Sequence, residues 1–268
     1  MSATPHLNVT PIAAFSDNYI WLLECSETRQ KVIVDPGDGR AVLEYLRQRQ
    51  IELTAIWITH HHPDHVGGVE LLQKHSPIAV WGPQGSPAQA LFSHTLSAGQ
   101  EVAIGPHRFT VLAIPGHTLD HIAYYSQSSS MLFCGDTLFA GGCGRVFEGT
   151  FEQMHSSLQQ LAALPQETAV YCAHEYTLAN LHFARAADPN NIALEKRQQQ
   201  AVSLRESDLP TLPSTIGLEL ATNPFLRCQL ETMAQTLAEP LQNAGFDSAP
   251  LATGAQRFAA LRQWKDNF

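Results

Sequence analysis

Residues 59–65 read THHHPDH, and this stretch constrains the chain more than any other. Neither a helix nor a strand gains from it. Pro63 removes a backbone donor and disfavours helical geometry at His62. Four imidazoles and a carboxylate packed together are costly to bury without partners. A divalent cation removes that cost, because neutral imidazole nitrogen and carboxylate oxygen are ligands for borderline metals. The cluster follows the apolar run LTAIWI, and ligand sites in α/β proteins favour the carboxyl ends of strands. In extended chain His60 and His62 share a face, whereas His61 points elsewhere and is read as a non-ligand. Asp64 and His65 follow at the next turn, in place to serve a second centre.

Further ligands must then come from other strand ends, and three candidates do. His117 follows an apolar run and a Pro-Gly turn in AIPGHT, Asp136 ends LFCGDT, and His174 lies in VYCAHEYT. Read singly, each is as well explained as a satisfied core or loop residue. Their recurrence in one context, with THHHPDH, favours ligation.

The first two-thirds of the chain alternates strand-like and helix-like runs, which predicts layered sheets covered by helices. YIWLLE, KVIVDPG, LTAIWIT, IAVWG, HRFTVLAIPG, IAYYS, SMLFCGDT and TAVYCAH read as strands, the second ended by the Asp-Pro-Gly turn at Asp35–Gly37. GRAVLEYLRQRQ and HVGGVELLQKHS each read as one helix. GTFEQMHSSLQQLAALP starts with Thr150 and Gln153 in capping-box spacing and stops at Pro165. Beyond about residue 175 the strand signal fades. TLANLHFARAADP, NIALEKRQQQAVSLRE, CQLETMAQTLAEPL and the terminal AQRFAALRQWKDNF read as helices, with LPTLPSTIG a proline-punctuated connection. The expected division is 1–174, carrying the candidate ligands, and a helical 175–268.

Composition excludes several classes. The net charge of −9, from 16 Lys and Arg against 25 Asp and Glu, works against nonspecific binding to nucleic acid or an anionic membrane. No apolar run approaches the roughly eighteen residues of a membrane span, and MSATPHLNVT has neither a basic nor an apolar leader region. Five scattered cysteines without a CxxC pair fit free, buried thiols in a reducing compartment. A cytoplasmic protein acting as a monomer is expected. Arg257, Arg262 and Lys265 form a local basic stretch that, alone, reads as a solvated helix face.

The order THxHxDH, GHT, GDT and a late histidine resembles the metallo-β-lactamase superfamily, an αββα sandwich. That resemblance implies two divalent metal ions, one held by His60, His62 and His117, the other by Asp64, His65 and His174, with Asp136 bridging. Zinc is the default, with iron and manganese compatible with the same donors. FSDNYIWLL, GDTLFAGGCGRVFEGT, CAHEYTLANLHFA, NPFLR and RQWKDNF are similar to the glyoxalase II family, the hydroxyacylglutathione hydrolases, nearly end to end. The family resemblance implies hydrolysis of S-(2-hydroxyacyl)glutathione, such as S-D-lactoylglutathione, to glutathione and D-lactate, the second step of methylglyoxal detoxification. It implies that a hydroxide shared by the metals attacks the thioester, with Asp64 and Asp136 as catalytic carboxylates. It also implies that Arg145, Tyr176, Arg262 and Lys265 grip the glutathione. Phe147 stands where some members carry Tyr, and Arg145 where others carry Lys. Neither change touches the metal ligands. His121 reads as a structural or surface histidine, with a role behind the ligands as the alternative.

Rival readings are a glutathione persulfide dioxygenase, a lactone or β-lactam hydrolase on the same centre, and a metal-binding protein without turnover. The basic C-terminal stretch weighs against the first two, and the complete second ligand set weighs against the first as well.

Overall fold

A computed structural model describes residues 7–246 and 251–268. The first six residues, on which part of the leader reading falls, lie outside the described residues. Two units divide the chain: Met1–Ala113 with Asp120–Gly135, and Ile114–Leu119 with Asp136–Phe268.

In the first unit, β1 (Leu7–Ala14), β2 (Asn18–Cys25), β3 (Lys31–Val34), β4 (Ala55–Trp57), β5 (Ala79–Pro83) and β6 (His94–Leu96) form one sheet in chain order. β1 to β3 pair antiparallel and β3 to β6 parallel. Helix α1 (Gly39–Arg49) connects β3 to its parallel neighbour β4, and α2 (Pro63–Val66) and α3 (Val69–His75) connect β4 to β5. β7 (Glu101–Ile104), β8 (His107–Ala113), β9 (Ile122–Ser126) and β10 (Met131–Gly135) make an antiparallel meander.

β4 is apolar on both faces because both are covered. Ile56 and Ile58 join Val42 and Leu46 of α1 and Val69 and Leu72 of α3 in one core. Trp57 points the other way. Its ring stacks on Tyr124 of β9 at 5.1 Å and meets the edge of Phe109 of β8 at 5.2 Å. Tyr124 Oη donates to Ile58 O at 2.7 Å, so the two sheets are joined by aromatic packing and one buried hydrogen bond. The Trp57–Tyr124 stack is worth about 1 kcal/mol beyond its buried area. Helix α1 starts at Asp38, whose carboxylate accepts from Arg40 N and Ala41 N at 2.9 and 3.1 Å. Such a cap contributes about 1 kcal/mol.

The second unit contains the short ribbon β11 (Leu138–Phe139) and β12 (Gly142–Cys143), then α4 (Phe151–Ala162). Next come β13 (Ala169–Cys172), α5 (Thr177–Ala187), α6 (Ile192–Glu206) and β14 (Ser214–Thr215), which pairs with β13. The helices α7 (Ile216–Thr222), α8 (Pro224–Arg227), α9 (Glu231–Thr236), α10 (Ala238–Asn243) and α11 (Gly254–Asp266) follow. Helix α4 opens with the capping box predicted at Thr150 and Gln153. Phe183, Phe225, Phe258 and Trp264 interlock with centroid spacings of 5.1 to 5.8 Å.

Two expectations need correction, and several strands carry no sequence signal. HVGGVELLQKHS is two helices, because Gly67 and Gly68 interrupt it. CQLETMAQTLAEPL is also two, α9 and α10, meeting at Leu237. The strand β1 went unread. Pro11 obscures it, yet among the described residues β1 pairs only with β2 at the sheet edge, where a missing donor is tolerated.

Candidate metal centre

The first unit's donors hang from the end of β4. Asp35, just beyond β3, is buried and adopts a left-handed φ of 53°. Its carboxylate accepts from Thr59 N and from Thr59 Oγ1, both at 2.7 Å. Because that hydroxyl donates to Asp35, it accepts from His60 Nδ1 at 3.0 Å. His65 Nδ1 also lies 3.0 Å from Asp35 Oδ2, and a carboxylate can only accept. One buried carboxylate thereby places the proton on Nδ1 of both rings and the lone pair on Nε2, the atom a metal would take. Neutral metal-binding histidines need this arrangement.

Backbone packing sets the same loop. A Cβ on Gly37 would come 1.8 Å from Asp64 O, so only glycine lets the turn after β3 lie against α2. His62 is the extended residue before α2, and Pro63 supplies its first turn. Ligand atoms of His60 come within 4.8 Å of those of His62 and of His65. Asp64 Oδ2 accepts from Asn18 Nδ2 at 3.0 Å and lies 3.5 Å from His65 Nε2. His61 turns to Asp120, with Nδ1 to Oδ1 at 3.0 Å. His121 is 1% exposed and stacks on His60 at 4.5 Å with the rings 15° apart. The surface reading of His121 is overturned: it is a wall behind His60.

The second unit holds His117, Asp136 and His174, all buried. His117 Nδ1 donates to Arg145 O at 2.8 Å, so its Nε2 too carries the lone pair. That Nε2 lies 3.4 Å from Asp136 Oδ2, and His174 Nε2 lies 3.3 Å from the same oxygen. Both distances exceed a good hydrogen bond. Two imidazole nitrogens flanking one carboxylate oxygen suit cations better than protons. The donor set of nitrogen and oxygen fits a divalent metal of borderline hardness.

Each predicted substrate-gripping residue lies in this second unit. Phe147 is 63% exposed and meets the His117 ring edge-on at 5.2 Å. Tyr176 stacks on His174 at 4.6 Å with the rings 5° apart. Arg145 is exposed, with Nε 3.4 Å from Asp266 Oδ1. Arg262 turns inward: it is 3% exposed, donates through Nη1 to Cys143 O at 2.9 Å and through Nη2 to Asp266 Oδ1 at 3.0 Å. Arg257 is buried as well, with hydrogen bonds to Cys228 O and Leu251 O. The C-terminal basic stretch is therefore not a solvated face. Lys265 Nζ donates to Ala179 O at 3.3 Å, and burial, with the Arg262 charge second, lowers its pKa to about 8.

Sequence reasoning missed Asp35, Asn18 and Asp266. Asp35 was visible only as the first residue of an Asp-Pro-Gly turn. No local pattern announced that its carboxylate would reach Thr59 and His65.

The pattern of the metallo-beta-lactamase superfamily matches residues 15–174. That of the hydroxyacylglutathione hydrolase C-terminus matches 175–268. Among similar proteins, the hydroxyacylglutathione hydrolase of Chromohalobacter salexigens is 50% identical over 263 residues, covering 98% of this chain and all of its own. That of Shewanella halifaxensis is 48% identical over 267 residues, with the same coverage. The crystal structure of ETHE1 from Myxococcus xanthus is similar with a TM-score of 0.64 and 25% identity, covering 95% of this chain and 99% of that one.

Proposed function

Because this chain belongs to the metallo-β-lactamase superfamily, and within it to the hydroxyacylglutathione hydrolases, we propose that its histidines and aspartates hold a pair of divalent cations for thioester hydrolysis. By the family resemblance, His60, His62 and His117 would hold one cation, Asp64, His65 and His174 the other, and Asp136 would serve both. The substrate is an S-(2-hydroxyacyl)glutathione such as S-D-lactoylglutathione, and the products are glutathione and D-lactate, in methylglyoxal detoxification. The observation carrying this reading is the shared tautomer: His60, His65 and His117 all spend Nδ1 on protein acceptors. That agreement puts the lone pair on Nε2 in all three rings, the atom a metal would take.

Bound cations of this kind lower the pKa of water and polarise a carbonyl oxygen. The chain's own residues do the rest. Asp64, anchored through Oδ2 by Asn18, orients the attacking water. Asp35 holds His65 directly and His60 through Thr59, fixing both rings before substrate arrives. The leaving thiolate derives from a thiol with a pKa of about 8.5 and departs without a dedicated acid. A cysteine nucleophile is not needed, and burial raises Cys143 to about 11 and Cys172 to about 12, which keeps both thiols protonated.

Arg145, Lys265 and Tyr176 grip the glutathione moiety, with Phe147 beside His117 as an apolar wall. Arg262 serves the same grip by holding Asp266, the carboxylate that faces Arg145. Functionally the chain divides into a catalytic part, 1–174, which also supplies Arg145 and Phe147, and a helical substrate-binding part, 175–268. Zinc suits the donors, and iron or manganese would serve them too. A cytoplasmic monomer without nucleic-acid or membrane partners fits the acidic balance and five unbridged cysteines. No helix among the described residues is long and apolar enough to cross a membrane. Neither persulfide oxidation nor lactone or β-lactam hydrolysis has comparable support, since the full-length relatives carry the thioester hydrolase name.

The test is hydrolysis of S-D-lactoylglutathione beside elemental analysis of the purified chain. Asp136→Ala is expected to lose bound metal and turnover together. Full activity at unchanged metal content would reject the joining role of Asp136.

A further inference from the structure

A second constellation lies in the first unit, apart from the THHHPDH loop. Cys25 closes β2, Glu27 follows in the turn, and His107 opens β8, opposite Ile104 of β7. Cys25 is 3% and His107 8% exposed, while Glu27 reaches solvent. Cys25 Sγ lies 3.2 Å from Glu27 Oε2. One ligand atom from each of the three falls within 4.8 Å of the others.

The histidine supplies an independent observation. His107 Nδ1 pairs with Ser129 Oγ at 2.8 Å, so Nε2 is the nitrogen that a ligand would engage. That Nε2 is buried and has no hydrogen-bond partner among the described residues. A buried ring nitrogen without a partner is costly. A ring nitrogen of the same histidine lies within 4.8 Å of a thiol and a carboxylate, the other two donor types that zinc accepts. Gly105 closes in on the thiol: a Cβ there would come 2.4 Å from Cys25 Sγ, so no side chain at that position fills the space.

We propose that Cys25, Glu27 and His107 form a separate zinc site, with one solvent molecule completing four-coordination. The donors must draw together to about 3.5 Å from one another to meet ordinary zinc bond lengths. Glu27, with its exposed and rotatable side chain, provides most of that movement. Binding releases the Cys25 proton to solvent, because the thiolate is the ligand. The ion would pin the turn after β2 to the start of β8, joining the two sheets of this unit at a place remote in sequence. Its role is structural, and hydrolysis does not depend on it.

Cobalt substitution of the full chain distinguishes this site from the hydrolytic one. The hydrolytic donors are nitrogen and oxygen only, so a thiolate-to-cobalt absorption band in the near ultraviolet reports Cys25 alone. The wild-type chain is expected to show that band and to bind one more zinc equivalent than Cys25→Ser, as measured by equilibrium dialysis. Glu27→Gln, an exposed change with little risk to folding, should weaken that equivalent by at least about tenfold. Thioester hydrolysis should stay at the wild-type rate in Glu27→Gln. Absence of the band in the wild type, its persistence in Cys25→Ser, or unaltered zinc affinity in Glu27→Gln each overturns the site. The band and the difference between variants do not depend on how many ions the hydrolytic centre takes.

Discussion

Lys265 illustrates how packing tunes a single side chain. Its ammonium lies over the faces of Phe183 and Phe268, at 5.2 and 5.9 Å from the ring centroids, and burial with the neighbouring Arg262 lowers its pKa to about 8. The charged form is thus disfavoured in the folded chain. The unfolded chain holds more protons between about pH 8 and the ordinary lysine value, so stability from this group rises with pH across that interval. Substrate binding runs the other way. An ammonium that grips a glutathione carboxylate loses its charge above about pH 8, so KM for the thioester should climb there. Lys265→Arg, which stays charged, should flatten that climb, though with altered reach. A KM that is level from pH 7 to 9 in the wild type would remove Lys265 from the grip. Asp35 is the complementary case. Its neighbours Pro36 and Gly37 mark a turn in the sequence, but only the fold shows its carboxylate holding Thr59 and His65.

At the level of elements, short-range signals carried far. The helix starts at Thr150 and Asp38 are local, since a side chain caps amides only two or three residues away. Strands β4, β9 and β10 were legible because continuous apolar runs announce two-sided burial, and β8 because buried and polar positions alternate along HRFTVLA. Helix α6 shows where that legibility stops. Its sequence is strongly polar, and Arg197 would be placed in solvent on composition alone. Instead Arg197 is buried and bonded to Glu219, Thr222 and Ser214, while Glu219 Oε2 accepts from Gly141 N and Asn223 Nδ2. The network ties α6 to α7, β14 and the loop before β12. Arg197→Ala leaves a fully buried carboxylate uncompensated and should cost about 3–5 kcal/mol. Arg197→Lys keeps the charge but loses the fork, so an intermediate loss is expected. Thermal or urea unfolding measures both, and an alanine variant within about 1 kcal/mol of the wild type would show the network to be passive.

For the molecule as a whole, the proposed cations bind the folded chain and not the unfolded one, so they must add to its stability. One cation held at a hundred times its Kd contributes about 2.7 kcal/mol. Stripping metal with a chelator should therefore abolish hydrolysis and lower Tm by several degrees, and returning zinc should restore both. Hydrolysis that survives complete metal removal would defeat the dinuclear reading. Residue types and spacing alone determined the candidate ligands His60, His62, Asp64, His65, His117, Asp136 and His174, because metal chemistry demands imidazole and carboxylate at strand ends. They also determined most helices and buried strands, because caps and apolar periodicity act over a few residues. Tertiary structure alone decided that Arg262 faces Asp266 rather than solvent, that His121 backs His60, and that Asp35 sets the ligand tautomers. It alone brought Cys25 to His107. Those contacts join residues remote along the chain, and what a side chain meets at such range depends on how whole sheets and helices pack.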